Sequence, residues 1–172
     1  MIPIKVVTVH EEHPDLSRRE LHEVTRLSHY AMGRRWAEDL LAEHFLPSAS
    51  SIFGYQRRSA KWLKKKALLA SLGQADPNAA SSPLVFRGRL RDALLRTARN
   101  AIRAYPTRVT IDLIGTEYFT ARPRRAGRPN FHREVTAMSP RHERLVGESA
   151  DRGFEQGLKL VRQSRRKTTK TN

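Results

Sequence analysis

Two groups of histidine and glutamate residues are candidates for metal chemistry in this sequence. In the run HEEH at residues 10–13, the imidazoles are three residues apart at the end of a predicted strand. The helical zinc-peptidase motif needs them four apart on one helix face, with a glutamate between them as the base. His132 and Glu134 would share one face of a predicted strand, but no third ligand accompanies them. We therefore predict no metal site and no cofactor.

The signatures of nucleophilic catalysis are also missing. Serines cluster at residues 48–51 and 81–82, and neither cluster has the G-x-S-x-G elbow that exposes a catalytic serine. No glycine-rich motif of the phosphate-binding kind occurs. Cysteine is absent, which excludes disulfides and thiolate catalysis. The sequence predicts that this protein is not an enzyme.

Positive charge is the strongest chemical signal in the sequence. The 172 residues carry 33 Lys or Arg and 17 Asp or Glu, a formal net charge of +16. Thirteen of these bases, but only two acids, lie between Phe45 and Thr110. Residues 10–44 are mildly acidic, with eight acids and five bases. This distribution favours a polyanion or an acidic protein surface as partner. An acidic and a basic face would also allow copies to stack head to tail.

The N-terminal elements follow from hydrophobic periodicity. Residues 2–9 alternate apolar and polar positions, which predicts a strand. A long helix is predicted from Arg18 to Phe45, because its apolar residues form one stripe. Ser17 and Glu20 have the spacing of a capping box at its start, and Pro47 follows its end.

The middle of the chain alternates loops and basic helices. We expect a loop over residues 47–58, then a short basic helix over 60–72 that Gly73 closes. A second loop over residues 74–83 has no periodicity, and a helix over 88–99 follows it.

The C-terminal part begins with a predicted hairpin, with strands at residues 100–105 and 109–113. A basic Pro/Gly-rich loop covers 122–129, and alternation over 131–137 predicts another strand. Ser139-Pro140 supplies an N-cap and a first-turn proline for a helix that ends near Arg162.

Together these elements predict an α/β protein of the α+β kind. A small, mostly antiparallel sheet is packed by the long N-terminal helix and the C-terminal helix, with long irregular loops between them. We expect one domain over residues 1–162 and a basic, flexible tail over 163–172. No run of apolar residues approaches the roughly 20 needed to cross a bilayer, so we expect no membrane partner.

Aromatic residues interleaved with bases form the candidate binding surface. Its members are Phe53, Tyr55, Arg57, Arg58, Lys61, Trp62, Lys64, Lys65 and Lys66. They could stack nucleobases and neutralise phosphates. Alternatively, the aromatics face a core and the lysines form a solvated edge. A protein–protein contact is the third interpretation and the one we favour, because Arg, Tyr and Trp are enriched at interface hot spots.

Two segments carry a resemblance to a known family. They are HFLPSASSIFGYQRRSAKWLKKK (residues 44–66) and SPLVFRGRLRDAL (residues 82–94). An aromatic pair at 118–119, a Glu-containing segment at 131–138 and the Ser-Pro-capped helix follow in order. Over residues 17–162 this order resembles the neck and tail-completion proteins of tailed bacteriophages, often labelled minor tail or virion morphogenesis proteins. Phage-derived gene-transfer particles use related parts.

Two departures from the family pattern bear on this resemblance. Arg87 stands where a small Thr or Ser is expected before the glycine, and the N-terminal strand and acidic helix are longer than expected. The second departure leaves the layer of the neck open.

The resemblance implies a structural virion protein of the head–tail connection, in a neck, tail-completion or tail-terminator ring. It would join the capsid and portal to the tail, with DNA passing through the lumen. The implied partners are copies of itself in a six-fold or twelve-fold ring, other neck and portal-adaptor proteins, and tail-tube proteins. The loops at 74–83 and 121–129 would be docking arms, and the protein would be located in the virion after manufacture in the host cytoplasm.

The predicted interface then gains further residues. These are Gly88, Arg89, Arg91, Arg122, Arg124, Arg125 and Arg128. The alternative function is a stand-alone basic nucleic-acid-binding protein, whose binding would fall steeply with salt.

Overall fold

The computed structural model describes residues 2–4, 15–82, 84–85, 88–97, 102–112 and 131–168, with residues 2–4, 89–90, 97, 131–132 and 168 described by their backbone alone. The α-helices are α1 (Arg18–Arg35), α2 (Ala49–Phe53), α3 (Ala60–Ser71), α4 (Arg89–Thr97), α5 (Phe131–Val135) and α6 (Pro140–Thr168). The strands are β1 (Ile2–Ile4), β2 (Ile102–Tyr105) and β3 (Arg108–Ile111). The predicted α+β class is confirmed. None of the helices in the described ranges is long and apolar enough to cross a membrane.

The helix predicted from Arg18 to Phe45 is one helical run with three hydrogen-bonding patterns. After α1, Trp36–Leu40 form a π-helical turn and Leu41–Phe45 a 3-10 turn. The predicted capping box is confirmed: the Ser17 hydroxyl accepts from the Glu20 amide at 3.3 Å, and the Glu20 carboxylate accepts from the Ser17 amide at 2.8 Å. Trp36, Ala37, Leu40 and Leu41 of these two turns are all buried.

The sheet has three antiparallel strands in the order β1-β3-β2. Ile111 of the central strand β3 lies opposite Ile2 on one side and Ile102 on the other. The predicted hairpin is therefore confirmed, with its turn at residues 106–107. The strand predicted over residues 2–9 is seen at 2–4, and its remainder lies outside the described residues, as does residue 113.

Helix α1 lies between the sheet and α6. It contacts β2 and β3 on one side and packs along α6 on the other. A Cβ atom placed on Gly153 of α6 would lie 2.9 Å from the Cα of Ser28, so only glycine allows this close approach. The Ser28 hydroxyl also donates to the carbonyl of Ala150 at 2.8 Å. Arg165 pairs with Glu20 near the start of α1.

Both predicted loops in the middle of the chain contain short helical turns. Helix α2 lies within the segment 47–58 and ends at Gly54, which has a φ of 62°. Pro77–Ala79 form a 3-10 turn within the segment 74–83. The Asp76 carboxylate caps this turn by accepting from the Asn78 amide at 2.8 Å. The helices predicted over residues 60–72 and 88–99 correspond to α3 and α4, although residues 98–99 lie outside the described ranges.

Two predictions for the C-terminal part need correction. The strand predicted over residues 131–137 is wrong, because Phe131–Val135 form helix α5. Glu134 and Val135 are both buried, whereas adjacent strand residues point to opposite faces. The final helix begins as predicted, with the His142 amide donating to the Ser139 hydroxyl at 3.2 Å. It continues to Thr168, so the first part of the predicted tail is helical.

The core lies where the helical run, β3, α4 and α6 meet. Its largest fully buried apolar side chains are Met32, Trp36, Leu40, Leu41, Leu94 and Ile111. Histidine and lysine side chains are buried with them, namely His29, His44, Lys66 and His142. Ionisable side chains are seldom buried unless other groups pair with them. The contacts of these buried side chains therefore belong to the candidate site together with its exposed residues.

Candidate interaction surface

Helix α3 carries most of the predicted binding residues, and its formation follows from local sequence. The Ser59 hydroxyl caps its start by accepting from the Trp62 amide at 3.3 Å. Lysine, alanine and leucine, all good helix formers, fill its turns. It packs against the 3-10 turn at Pro77–Ala79, which leaves its opposite side in solvent.

The side of α3 that faces solvent combines bases with large apolar side chains. Lys61, Lys64 and Lys65 are exposed, and no ion pair joins them to any acid in the described residues. Leu68 and Leu72 follow on the same side and are 60% and 59% exposed. We call Lys61, Lys64, Lys65, Leu68 and Leu72 the outward face of α3. Its apolar part has no partner in the described portion of the chain.

The inner side of α3 is held by a buried lysine. The ammonium of Lys66 is fully buried and donates to the carbonyl of Ser82 at 2.8 Å. Burial, with a smaller contribution from nearby Arg58, lowers the pKa of Lys66 to about 8. Lys66 therefore ties the segment after the 3-10 turn to α3, and it is not available to a partner.

Arg58 is likewise part of the interior. Its guanidinium donates two hydrogen bonds to the Glu134 carboxylate, at 2.9 and 2.6 Å, and both side chains are 7% exposed. The backbone amide of Gln56 donates to the same carboxylate at 3.2 Å. This bidentate pair fixes α5 against the segment before α3. By contrast, the adjacent Arg57 is exposed.

An aromatic cluster lies next to this ion pair. The ring of Phe53 stacks on that of His44 with centroids 4.0 Å apart. His44 Nδ1 lies within hydrogen-bonding distance of the Tyr55 hydroxyl and 3.1 Å from the carbonyl oxygen of Glu134. Burial, and next the nearby His142, lowers the pKa of His44 to about 4, so the ring is neutral at pH 7. Burial likewise raises the pKa of Tyr55.

A cleft of about 570 Å³ opens beside this cluster. Phe53, Tyr55, Gln56, Arg133 and Glu134 contribute to its lining. The polar groups of Tyr55 and Glu134 are already engaged within the protein. The cleft therefore lacks an unengaged pair of the kind that acid–base catalysis needs.

Gly88, one of the predicted interface residues, has an unusual backbone conformation. Gly88 has a φ of 75°, a conformation that side-chain-bearing residues rarely adopt, and its carbonyl accepts the first bond of α4 from the Asp92 amide. Arg91 pairs with Asp92 at 2.9 Å and with Asp76 at 3.1 Å. It therefore fastens the segment 74–83 to α4.

The predicted binding residues therefore separate into three groups. Phe53, Tyr55, Arg58, Lys66 and Gly88 are wholly or partly buried structural residues. Arg57, Trp62, Lys64 and Lys65 are exposed, and Arg91 is half-buried in its ion pairs. The side chain of Arg89 and residues Arg122, Arg124, Arg125 and Arg128 lie outside what the structure describes. Lys61, which was also predicted, is exposed. The prediction missed Leu68 and Leu72, although the spacing of bases and leucines along α3 places them on one side.

The acidic residues from Glu20 to Glu134 that the structure describes do not form an open acidic face. Every described acid from Glu20 to Glu134 pairs with an arginine of the same chain. These acids are Glu20, Glu23, Glu38, Asp39, Glu43, Asp76, Asp92, Asp112 and Glu134. The acids of the acid-rich segment from Glu20 to Glu43 are thus neutralised by arginines of the same chain. A head-to-tail contact between an acidic and a basic face has no support from these residues.

One candidate metal ligand is engaged elsewhere, because the carboxylate of Glu134 is held by the guanidinium of Arg58. The run at residues 10–13 and the side chain of His132 lie outside the described residues. Within the described ranges, no group of three or more His, Asp or Glu side chains is placed to hold a metal ion.

Comparison with protein-family models, with curated proteins and with solved structures finds no match to this chain.

Proposed function

We propose that this protein is a structural subunit of the head–tail connection of a tailed phage or a phage-derived particle. Copies would form a ring in the neck, tail-completion or tail-terminator layer, with DNA passing through its lumen. The protein would act by assembly and would catalyse no reaction. The resemblance over residues 17–162 supplies this proposal, and the outward face of α3 supports it.

The observation that carries the proposal is the exposure of Leu68 and Leu72 beside three unpaired lysines. Two large apolar side chains, each more than half exposed and one helical turn apart, gain free energy when a partner removes them from water. Burial of apolar surface drives protein association, and charged side chains beside it set the orientation of the partner. An assembly protein needs such a surface.

The basic residues support a second candidate, a stand-alone nucleic-acid-binding protein. Lys61, Lys64 and Lys65 carry charge that no described acid neutralises, and a net charge of +16 attracts any polyanion. This candidate leaves the leucines of the outward face unexplained. It therefore ranks second.

Particles provide the test of the proposed function. In cells that produce particles containing this protein, deletion of its gene should leave DNA-filled heads and free tails that do not join. A variant with Lys61, Lys64 and Lys65 changed to Glu should give the same defect. The matched control changes the exposed Lys159, Arg162 and Arg166 of α6 to Glu, and should leave joining intact.

Three results would contradict the proposal. Particles purified to homogeneity could lack the protein by mass spectrometry. Electron micrographs of the deletion strain could show normal, joined particles. The purified protein could also bind duplex DNA tightly and with a steep salt dependence while the lysine variant still builds normal particles, and this would favour the second candidate.

A further inference from the structure

We infer that the outward face of α3 docks an acidic segment of a different protein, which places glutamates or aspartates on the lysines and apolar side chains on the two leucines. The inference rests on the proposed function, since it names the kind of neighbour that this subunit contacts. A second copy of the chain and DNA are the competing occupants, and the experiment below distinguishes them from the acidic segment.

The order of residues along the outward face defines the shape of the occupant. Lys61, Lys64 and Lys65 occupy the N-terminal half of α3, and Leu68 and Leu72 continue the same side towards its C-terminal end. At 1.5 Å per residue the face is about 17 Å long. Charge and apolar surface are therefore separated along the helix axis, whereas an ordinary amphipathic helix separates them around it.

A second copy of this chain offers no matching surface in the described residues. Every described acid from Glu20 to Glu134 already pairs with an arginine of its own chain. Of the other described acids, Asp15 is exposed just before α1, and Glu148 pairs with Arg144 and Arg152. Glu143, Asp151 and Glu155 lie on the exposed side of α6. They share that side with a larger number of bases, namely Arg144, Arg152, Lys159, Arg162 and Arg166. Two such surfaces would gain little electrostatic attraction, so the described residues of a second copy favour an acidic complement from another molecule.

Nucleic acid and lipid surfaces fit the face poorly for different reasons. A phosphate backbone would satisfy the three lysines, but Leu68 and Leu72 would gain nothing from contact with phosphates and water. A helix that lies on a membrane carries its apolar and charged residues on opposite sides. In α3 the lysines and both leucines share one side, and the opposite side is packed on its own protein.

The occupant is therefore a peptide segment with acids at one end and apolar side chains at the other. About three helical turns would cover the face, with two or three carboxylates near the lysines and two apolar side chains next to Leu68 and Leu72. Apolar contact at the leucines supplies attraction that salt does not screen. The carboxylates supply orientation and speed of association.

A synthetic peptide pair can test this inference with the full-length protein. The probe is a helical peptide of about 18 residues that carries glutamates on one side of its first half and leucines on the same side of its second half. The control peptide has the same composition, with glutamates and leucines interleaved. Binding is measured by fluorescence anisotropy at physiological salt. We expect the ordered peptide to bind at least about tenfold more tightly than the interleaved one.

Two variants of the protein should weaken this binding independently. Changing Lys61, Lys64 and Lys65 to Glu should lower the affinity at least about tenfold, and so should changing Leu68 and Leu72 to Ser. The triple change of Lys159, Arg162 and Arg166 to Glu on α6 should have no effect. Because all altered side chains are exposed, circular dichroism should show an unchanged fold.

Other outcomes overturn the inference. Equal binding of both peptides, or no binding at all, shows that the face does not recognise an ordered acidic and apolar segment. Self-association in sedimentation velocity that the α3 changes abolish assigns the face to a second copy. Duplex DNA of 30 base pairs, bound more tightly than the peptide and independently of the leucines, assigns it to nucleic acid. The test of the proposed function in particles is independent of all these results, so the inference can fail while the proposed function holds.

Discussion

Arg57 and Arg58 are adjacent in the sequence, but Arg57 is exposed and Arg58 is buried in an ion pair. Changing each to Met therefore compares the stability contributed by a buried arginine with that of an exposed one. Arg58→Met removes both guanidinium hydrogen bonds to Glu134, at 2.9 and 2.6 Å. The carboxylate then stays buried with the Gln56 amide at 3.2 Å as its remaining described donor. Removing one partner of such a pair costs about 3–5 kcal/mol, because the other charge is left buried without compensation.

That cost is a large share of the roughly 5–15 kcal/mol that stabilises a typical domain. For a chain of this size it corresponds to a fall in Tm of about 6–20 °C. Urea denaturation followed by tryptophan fluorescence measures it, since Trp36 is fully buried in the core. Arg57→Met should change the unfolding free energy by less than about 0.5 kcal/mol, because that side chain is exposed.

A double variant tests the cause of the effect. If the loss comes from the uncompensated carboxylate, adding Glu134→Leu to Arg58→Met should restore most of the stability, because an apolar pair of similar volume needs no counter-charge. A double variant as unstable as Arg58→Met alone would refute the electrostatic explanation. Equal losses for Arg57→Met and Arg58→Met would refute the assignment of Arg58 to the interior.

Two further predictions concern helix packing and pH. Gly153→Val should lower the free energy of unfolding by about 1–3 kcal/mol in urea denaturation, because its Cβ would lie 2.9 Å from the Cα of Ser28. Gly147→Ala, where a Cβ meets open space, should instead raise the free energy of unfolding by up to about 1 kcal/mol. Similar effects of the two changes would contradict this packing. The pKa of His44 falls from 6.5 to about 4 on folding, so the unfolded chain takes up a proton below about pH 6.5 while the folded chain does not. The free energy of unfolding should therefore fall by about 3 kcal/mol between pH 6.5 and 4. The His44→Gln variant should lose less stability over this range. If it loses as much as the unchanged protein, groups other than His44 cause the pH dependence.

The sequence predicted most of the regular elements, because their signals are local. Ser17 and Glu20 mark the start of α1, and Ser139 marks the start of α6, since capping depends on residues three apart. The change from α-helix to π-helical turn at Trp36 has no comparable signal. The buried side chains of this turn, Trp36, Ala37 and Leu40, belong to the hydrophobic core.

The error at residues 131–137 shows where local reasoning fails. Alternation of Phe, Arg and Val with His, Glu and Thr fits a strand, yet the segment forms α5. Its conformation is set by distant partners, with Glu134 held by Arg58 and Val135 in the core. Tertiary contacts override an alternation of apolar and polar residues over so short a segment.

The candidate site was predicted in composition and only partly in position. Charge counts identify α3 as basic, but they do not distinguish Lys66, which is buried, from Lys65 beside it, which is exposed. Helical periodicity would have shown that Leu68 shares a side with the exposed lysines. The buried side of α3 is the one that packs against the 3-10 turn at Pro77–Ala79, and no motif in the sequence predicts that contact.

The pairing of α1 with α6 has a consequence for the order of folding. Ser28 contacts Ala150 and Glu20 contacts Arg165, across 122 and 145 residues of chain. Closing a loop of that length costs conformational entropy that only later contacts repay, so formation of this helix pair is slow compared with local helix formation. During synthesis the apolar stripe of α1 emerges from the ribosome long before α6 exists to cover it. The nascent chain therefore passes through a stage in which α1 depends on chaperones or on transient contacts to stay out of aggregates.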